Sequence, residues 1–352
     1  MTKLNILEFS HQRDYGGTDK HSELMMKYYD KSKFNVFACS YSGGPRVQWI
    51  EDHNIANCVS QNDLELADWI KSRKIDVAHL YRGGWAEPRD LNLLKMAKVP
   101  VIVEQNCFAR FDDSGGSLDI AAHVFCSKVS KVIYKENSGS HYDDSKCFDI
   151  YCPIELDLYD QCQIDYSKPT FGRFSRKDET KWHVMQVQAL QLIQNRNPEA
   201  MFHVIGLPDE FKKIIQQSHT ENMVVEYDAF KGDQEQILFL NRISVFAHSS
   251  RIGESFGNNI AESMAAGLPV VTHSGGDSAQ AELVTDGYNG YVVDPGNFQG
   301  YARKVLYLLA NPDVKERMGR LSKQRAREWF DPSVTVKAFE DLYIETYKRK
   351  MG

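Results

Sequence analysis

Glu254 and Glu262, separated by seven residues and set among glycines and asparagines, are the side chains best placed to do chemistry in this chain. The stretch 253–269 reads Gly-Glu-Ser-Phe-Gly-Asn-Asn-Ile-Ala-Glu-Ser-Met-Ala-Ala-Gly-Leu-Pro. Gly253 and Gly257 let a backbone come close to a ligand. A helix beginning near Asn258 and ending at Gly267-Leu268-Pro269 has the expected stop signal. Its unpaired first-turn N–H groups and positive dipole end favour a phosphate. Glu262 lies four residues past Asn258, roughly 6 Å along the axis at about 1.5 Å per residue, a fitting span from a pyrophosphate to a ribose. Glu254, in the loop before the helix, can reach the group on the other side of the phosphates. Either glutamate alone reads as an ordinary exposed carboxylate; the glycines, asparagines and strand-loop-helix setting together favour a site.

The elements that must position these residues follow from periodicity. Short apolar runs at Leu4 to Phe9, Phe34 to Cys39, Ile75 to Leu80 and Val99 to Glu104 alternate with amphipathic stretches such as Thr18 to Tyr29 and Asp63 to Ser72. The alternation pauses over the polar segment 135–169 and restarts with strands at Thr170 to Ser175, Met201 to Ile205, Met223 to Tyr227, Ile243 to His248, Pro269 to Thr272 and Tyr291 to Val293. Such alternation predicts an α/β protein with parallel sheets. The expected organisation is two Rossmann-like domains facing across a cleft. The first is 1–160 and the second is 161–332. Ligands in such sheets bind beyond the carboxyl ends of the strands.

The segment from Gly253 resembles the Glu-x7-Glu signature of the family-4 retaining glycosyltransferases of the GT-B fold. The similarity continues through Pro269-Val270-Val271, Ser274-Gly275-Gly276, Glu282-Leu283-Val284, Asp286-Gly287, Asn289-Gly290-Tyr291 and Asp294-Pro295-Gly296. It is strong over the C-terminal half and weak over the N-terminal half, and it implies that the C-terminal helix 333–352 crosses back to complete the first domain. The resemblance implies that Glu254 contacts the donor-sugar hydroxyls, that Glu262 holds the ribose, and that Ser255, Phe256, Gly257, Asn258 and Asn259 offer backbone N–H groups to sugar and phosphates. It places the diphosphate-binding cations at Arg173 and Lys181, within the basic loop 172–182 after a strand end. Fixed cations there stabilise the charge of the departing nucleoside diphosphate, which implies catalysis without a metal or other cofactor. Gly16-Gly17 resembles the family's glycine loop near the donor phosphates. The base is expected beside the loop Tyr227 to Asp233, with Lys231 among its polar partners.

The implied activity is transfer of a hexose, with a lean to mannose from GDP-mannose over a UDP-sugar, to a glycan or other hydroxyl acceptor. The chain departs from the family at 104–106, where Glu104-Gln105-Asn106 stands in place of a frequent histidine. His79 and His11 are further strand-end and loop candidates. Two other readings are a non-catalytic nucleotide-sugar binder and an NAD-dependent oxidoreductase; the latter needs a GxGxxG turn that the sequence does not contain.

Composition sets the outer bounds. With a net charge of −6, 42% hydrophobic and 26% charged residues, a nucleic-acid partner is disfavoured, because phosphate neutralisation needs a basic surface. No apolar run nears the roughly 20 residues that span a bilayer, while peripheral membrane contact stays open. The beginning of the chain enters a strand pattern with no signal-peptide layout. Seven cysteines, an odd and irregularly spaced set, point to a reducing, cytoplasmic compartment and away from zinc.

Overall fold

The computed structural model describes residues 3–275 and 278–352. Gly276, the second glycine of the Gly275-Gly276 loop, lies outside the described residues. The chain forms two units, residues 1–153 with 332–352, and residues 154–331. The division falls a few residues before the expected 160/161. Ile154 already donates its N–H to Phe330 O at 2.9 Å, and Tyr159 is buried beside Glu262 in the second unit.

Among the described residues the first unit holds seven parallel strands: β1 (Leu4–Ser10), β2 (Phe34–Ser40), β3 (Ala56–Val59), β4 (Val77–Arg82), β5 (Val101–Asn106), β6 (Ala122–Phe125) and β7 (Cys147–Asp149), in the order β3-β2-β1-β4-β5-β6-β7. Every residue of β4 and β5 is buried, as expected of central strands covered on both faces. Periodicity missed β3, β6 and β7. These are three or four residues long, and β3 is a half-exposed edge.

Alternate side chains point to opposite faces, so Leu7 and Phe9 pack with Leu66, Ile70 and Leu94. Ile6 faces the other way, into a core with Met25, Val77 and Val101. The last helix, Pro332–Met351, closes that second face with Val336, Phe339 and Tyr343, a spacing of three and four residues that aligns them in one stripe. Burial of side chains such as Phe339 contributes roughly 1.5–3 kcal/mol each. The Tyr343 hydroxyl lies 2.8 Å from His79 Nδ1 and 3.0 Å from the Tyr29 hydroxyl.

The second unit holds β8 (Thr170–Phe174), β9 (Met201–Ile205), β10 (Val224–Tyr227), β11 (Val245–Ala247), β12 (Val270–His273) and β13 (Gly290–Val293), all parallel, in the order β10-β9-β8-β11-β12-β13. Its core gathers Phe171, Trp182, Leu190, Phe202, Val204, Tyr301 and Leu308. In each sheet the strand order reverses once, between β1 and β4 and between β8 and β11. Connections leave a reversal point in opposite directions and open a crevice at the strand carboxyl ends.

Two fully buried histidines make acid a specific stress. Burial pulls His21 down to about 3, and burial pulls His248 down to about 4 against the opposing pull of Glu254. Both are neutral in the fold but take up protons near pH 6.5 once unfolded. Their stabilisation is complete above about pH 6.5 and is lost as pH falls from there toward the folded values, at up to about 1.4 kcal/mol per pH unit for each. The urea midpoint is expected to drop between pH 7 and pH 5, and His21→Phe, in a site walled by Tyr81 and Phe339, to flatten that slope. An unchanged slope in the variant refutes the assignment.

Candidate active site

At the β8–β11 reversal point of the second unit, the expected site residues come together. The loop after β8 brings Lys181 and the loop after β11 brings Glu254, and they meet with Lys181 Nζ 2.7 Å from Glu254 Oε2. His248, just past the end of β11, sets Nε2 3.5 Å from Glu254 Oε1, while its Nδ1 lies 3.0 Å from Thr272 Oγ1. Burial pushes the Glu254 carboxyl up, but His248 and Lys181 outweigh it and hold the group down at about 2. Glu254 is therefore an ionised acceptor across the physiological range.

Four residues further, the helix Asn258–Ala265 begins at Gly257, whose φ of 97° lies in the left-handed region and whose missing side chain leaves the helix without a side-chain cap. Gly253 has φ 77°, and a Cβ there would stand 2.7 Å from Ser278 Cβ. Both glycines are needed by the turn. The first-turn amides of Asn258 and Asn259 have no intrahelical acceptors and point to the place where an anion is favoured. The side chain of Asn259 is tied back, donating to Phe174 O at 3.0 Å, so it fastens the helix start to the end of β8.

One turn into the helix, Glu262 is buried and accepts from Gln236 Nε2 at 2.8 Å, with the Tyr159 hydroxyl also on it. The Phe256 side chain is core, packed edge-on against Phe330 at 5.3 Å; only its backbone can serve a ligand. Lys231 is exposed in the loop before the helix Asp233–Leu240, and its own backbone N–H donates to Glu235.

Arg173 differs from the expectation of a phosphate-contacting cation. It is fully buried, with Nη1 donating to Gln186 Oε1 at 3.0 Å and Ser249 O at 2.5 Å, and Nη2 to Lys181 O at 2.8 Å. Its guanidinium stacks on Trp182 at 4.0 Å, and burial draws it down to about 10. The reason is its place inside β8, beneath the loops after β8 and β11, whose Lys181 and Ser249 carbonyls take its N–H groups. In this geometry it positions Lys181 by holding that residue's carbonyl. Arg173→Ala leaves several buried acceptors unpaired at about 1–3 kcal/mol each. Urea unfolding is expected to show a loss of roughly 2–4 kcal/mol, and a loss below about 0.5 kcal/mol rules this role out.

In the first unit, Gly16 caps the helix Gly17–Tyr28 with φ −66°, an extended conformation open to any residue. Gly16-Gly17 thus lies in the first strand-helix connection, without a backbone demand for glycine at Gly16. Glu104 is buried, 3.0 Å from Arg82 Nε and 2.5 Å from His123 Nδ1. Its ionisable group is engaged inside the unit. His79 is buried against Glu8 and Tyr343. His11 is exposed, its Nε2 2.7 Å from buried Asp90. His11, Glu87 and Asp90 place ligand atoms within 4.8 Å of one another, but Asp90 already receives Tyr41 and His11.

Sequence reasoning overlooked His248, Gln236 and Tyr159. His248 alone had a visible signal, a histidine at a strand end six residues before Glu254.

Two parallel doubly wound sheets with an anion-ready helix at a reversal point define an α/β architecture of the GT-B type. The comparisons with known proteins agree. Residues 161–325 match the family model described as glycosyl transferases group 1, a little under half of the chain. A curated relative, N-acetyl-alpha-D-glucosaminyl L-malate synthase of Bacillus anthracis, is 27% identical over 212 residues, covering 56% of this chain and 54% of that protein. The chain spans about half the length of the curated relatives it matches. A glycosyltransferase from Rickettsia africae superposes with a TM-score of 0.84 at 17% identity, over 99% of this chain and 100% of its own. HepE of Anabaena, solved in complex with UDP and glucose, gives 0.81 at 18% identity over 97% and 100%. These likenesses establish the fold. Among the described residues no helix is long and apolar enough to cross a membrane.

Proposed function

We propose that the chain is a retaining glycosyltransferase that moves a hexose from a nucleotide diphosphate sugar to a hydroxyl acceptor. The observation that carries this reading is the Lys181–Glu254 contact beside an uncapped helix start, with Glu262 one turn on. The three features match the three parts of the donor. Glu254 accepts from the sugar hydroxyls, Lys181 and the first-turn amides take the diphosphate, and Glu262 takes the ribose. With this charge arrangement the reading needs no metal. Retention follows from a front-face route, in which the departing phosphate helps remove the acceptor proton. In that route the protein's task is to orient the reactants and stabilise charge, as Glu254 and Lys181 are placed to do.

For the base and sugar, the loop near Lys231 offers polar partners but does not by itself separate guanine from uracil. The UDP and glucose bound by HepE support a UDP-hexose ahead of the GDP-mannose first expected. A thermal-shift panel of UDP-, GDP- and ADP-sugars in EDTA decides this. The right donor at 100 times its dissociation constant is expected to add about 2.7 kcal/mol of stability. If none of the panel raises the melting temperature, the glycosyltransferase reading is refuted.

A further inference from the structure

At the carboxyl ends of β4 and β5 in the first unit, two large aromatic side chains stand in solvent. Trp85 is 42% exposed and Phe108 54% exposed, with ring centroids 5.3 Å apart. The Arg110 guanidinium lies 4.6 Å over the Trp85 ring. Exposed aromatics on slack loops would mean little, but these loops are pinned from below. Buried Arg82, at the end of β4, donates to Trp85 O and is ion-paired with Glu104 at 3.0 Å and Asp112 at 2.6 Å. Asn106, at the end of β5, donates to Arg110 O at 2.8 Å and accepts from Arg110 N. Gly83 and Gly84 let the two loops close. A Cβ on Gly83 would sit 2.0 Å from the Trp85 ring, and one on Gly84, at φ 79°, 2.4 Å from Arg110 O. The buried Arg82–Glu104–Asp112 group, which the donor chemistry does not use, thus holds an aromatic surface rigid beside the β1–β4 reversal point.

We infer that Trp85 and Phe108 form a platform for a pyranose ring, and that the saccharide seated there is the acceptor of the proposed transfer. This rests on the glycosyltransferase reading for the word acceptor, but not for the platform. The C–H face of a pyranose is apolar and weakly positive, and it matches the negative face of an aromatic ring. Its equatorial hydroxyls need polar partners: Arg110, over the Trp85 ring, can donate, and Glu87 and Asp113, exposed in the same two loops, can accept. The same loop carries Phe111, Asp112 and Asp113 into a cavity of about 260 Å³ walled also by His123, Tyr134 and His141, a mixture of ring faces and hydroxyl partners suited to a further sugar. The other occupants fit less well. Two half-exposed aromatic side chains of about 150–250 Å² each fall far short of the roughly 800 Å² per partner of a stable protein interface. The exposed carboxylates of the same loops, Glu87 and Asp113, disfavour an anionic lipid surface.

The test uses the full chain and its Trp85→Ala, Trp85→Phe and Phe108→Ala variants. Ligand-observed saturation-transfer NMR is run with maltotriose and chitotriose, and vesicle sedimentation with phosphatidylglycerol. Wild type is expected to bind a trisaccharide, Trp85→Ala to bind it at least about tenfold more weakly, and Trp85→Phe to recover most of the loss. The donor-induced thermal shift in Trp85→Ala is expected to equal that of wild type. A trisaccharide signal absent from wild type, or equal in wild type and both alanine variants, overturns the platform. So does vesicle binding that disappears in Trp85→Ala, which assigns the patch to a membrane. Saccharide binding at Trp85 with no response to any nucleotide sugar leaves the platform standing and removes the glycosyltransferase reading; the reverse pattern removes the platform alone.

Discussion

Glu254→Gln is expected to lower kcat for sugar transfer by about 10²–10³-fold while the protein keeps its fold. The substitution keeps the shape of the side chain and removes only its charge. The carboxylate now holds two contacts, Lys181 at 2.7 Å and His248 at 3.5 Å, and sits at about 2 on the pH scale because of them. It therefore presents a negative charge to hydroxyl donors across the physiological pH range. An amide offers one neutral acceptor and directs an N–H toward Lys181, a cation with no acceptor. The sugar then loses a charge-assisted hydrogen bond that fixes the reacting carbon, and misplacement of about 1 Å is enough to cost 10²-fold. Steady-state transfer with the donor found by thermal shift checks this, and donor hydrolysis without acceptor checks it independently. Activity within tenfold of wild type would falsify the central role of Glu254.

The second large effect is at Lys181. Lys181→Ala is expected to cost about 2.7–4 kcal/mol of transition-state stabilisation, a 10²–10³-fold fall in kcat/KM for the donor. Without a donor, Lys181 neutralises Glu254 in a crevice where the side chains are 21% and 12% exposed. When a diphosphate arrives, the ammonium has a stronger partner, and the carboxylate is released to the sugar hydroxyls. The pair is thus preorganised for a ligand that carries anion and hydroxyls side by side. Its removal raises the Glu254 carboxyl, since the Lys181 charge is one cause of the low value. The Lys181→Ala, Glu254→Gln double variant should lose less than the product of the single losses, because residues in direct contact do not act independently. Strict multiplicativity, or a single-variant loss under fivefold, counts against a shared donor site.

Much of the architecture was legible in the chain. The run of strands from Thr170 to Val293 and the stop at Gly267-Leu268-Pro269 are local signals, and the structure shows helix Asn258–Ala265 followed by β12 from Val270. The short strands β3, β6 and β7 were not legible. Three or four residues carry too little periodicity, and their pairing with β2, β5 and β6 supplies the specification. At the site, the place of Glu254 before the helix and of Glu262 within it followed from spacing alone. The burial of Arg173 did not, since a cation one residue before a strand end can face either the crevice or the core.

By itself, the sequence determined two parallel α/β sheets and a helix start able to receive an anion, because periodicity, glycine positions and helix signals act over a few residues. Only the tertiary structure decided that Lys181 meets Glu254 across 73 positions. It also decided that Arg173 props the Lys181 loop from beneath, that Glu104 is engaged by Arg82 and His123, and that Trp85 and Phe108 share one surface. Lys181 and Glu254 follow β8 and β11, which become neighbours only because the strand order reverses between them, and no local pattern encodes that reversal; the other pairings depend on how side chains at adjacent strand ends and in the loops above them pack, which is equally beyond a window of a few residues.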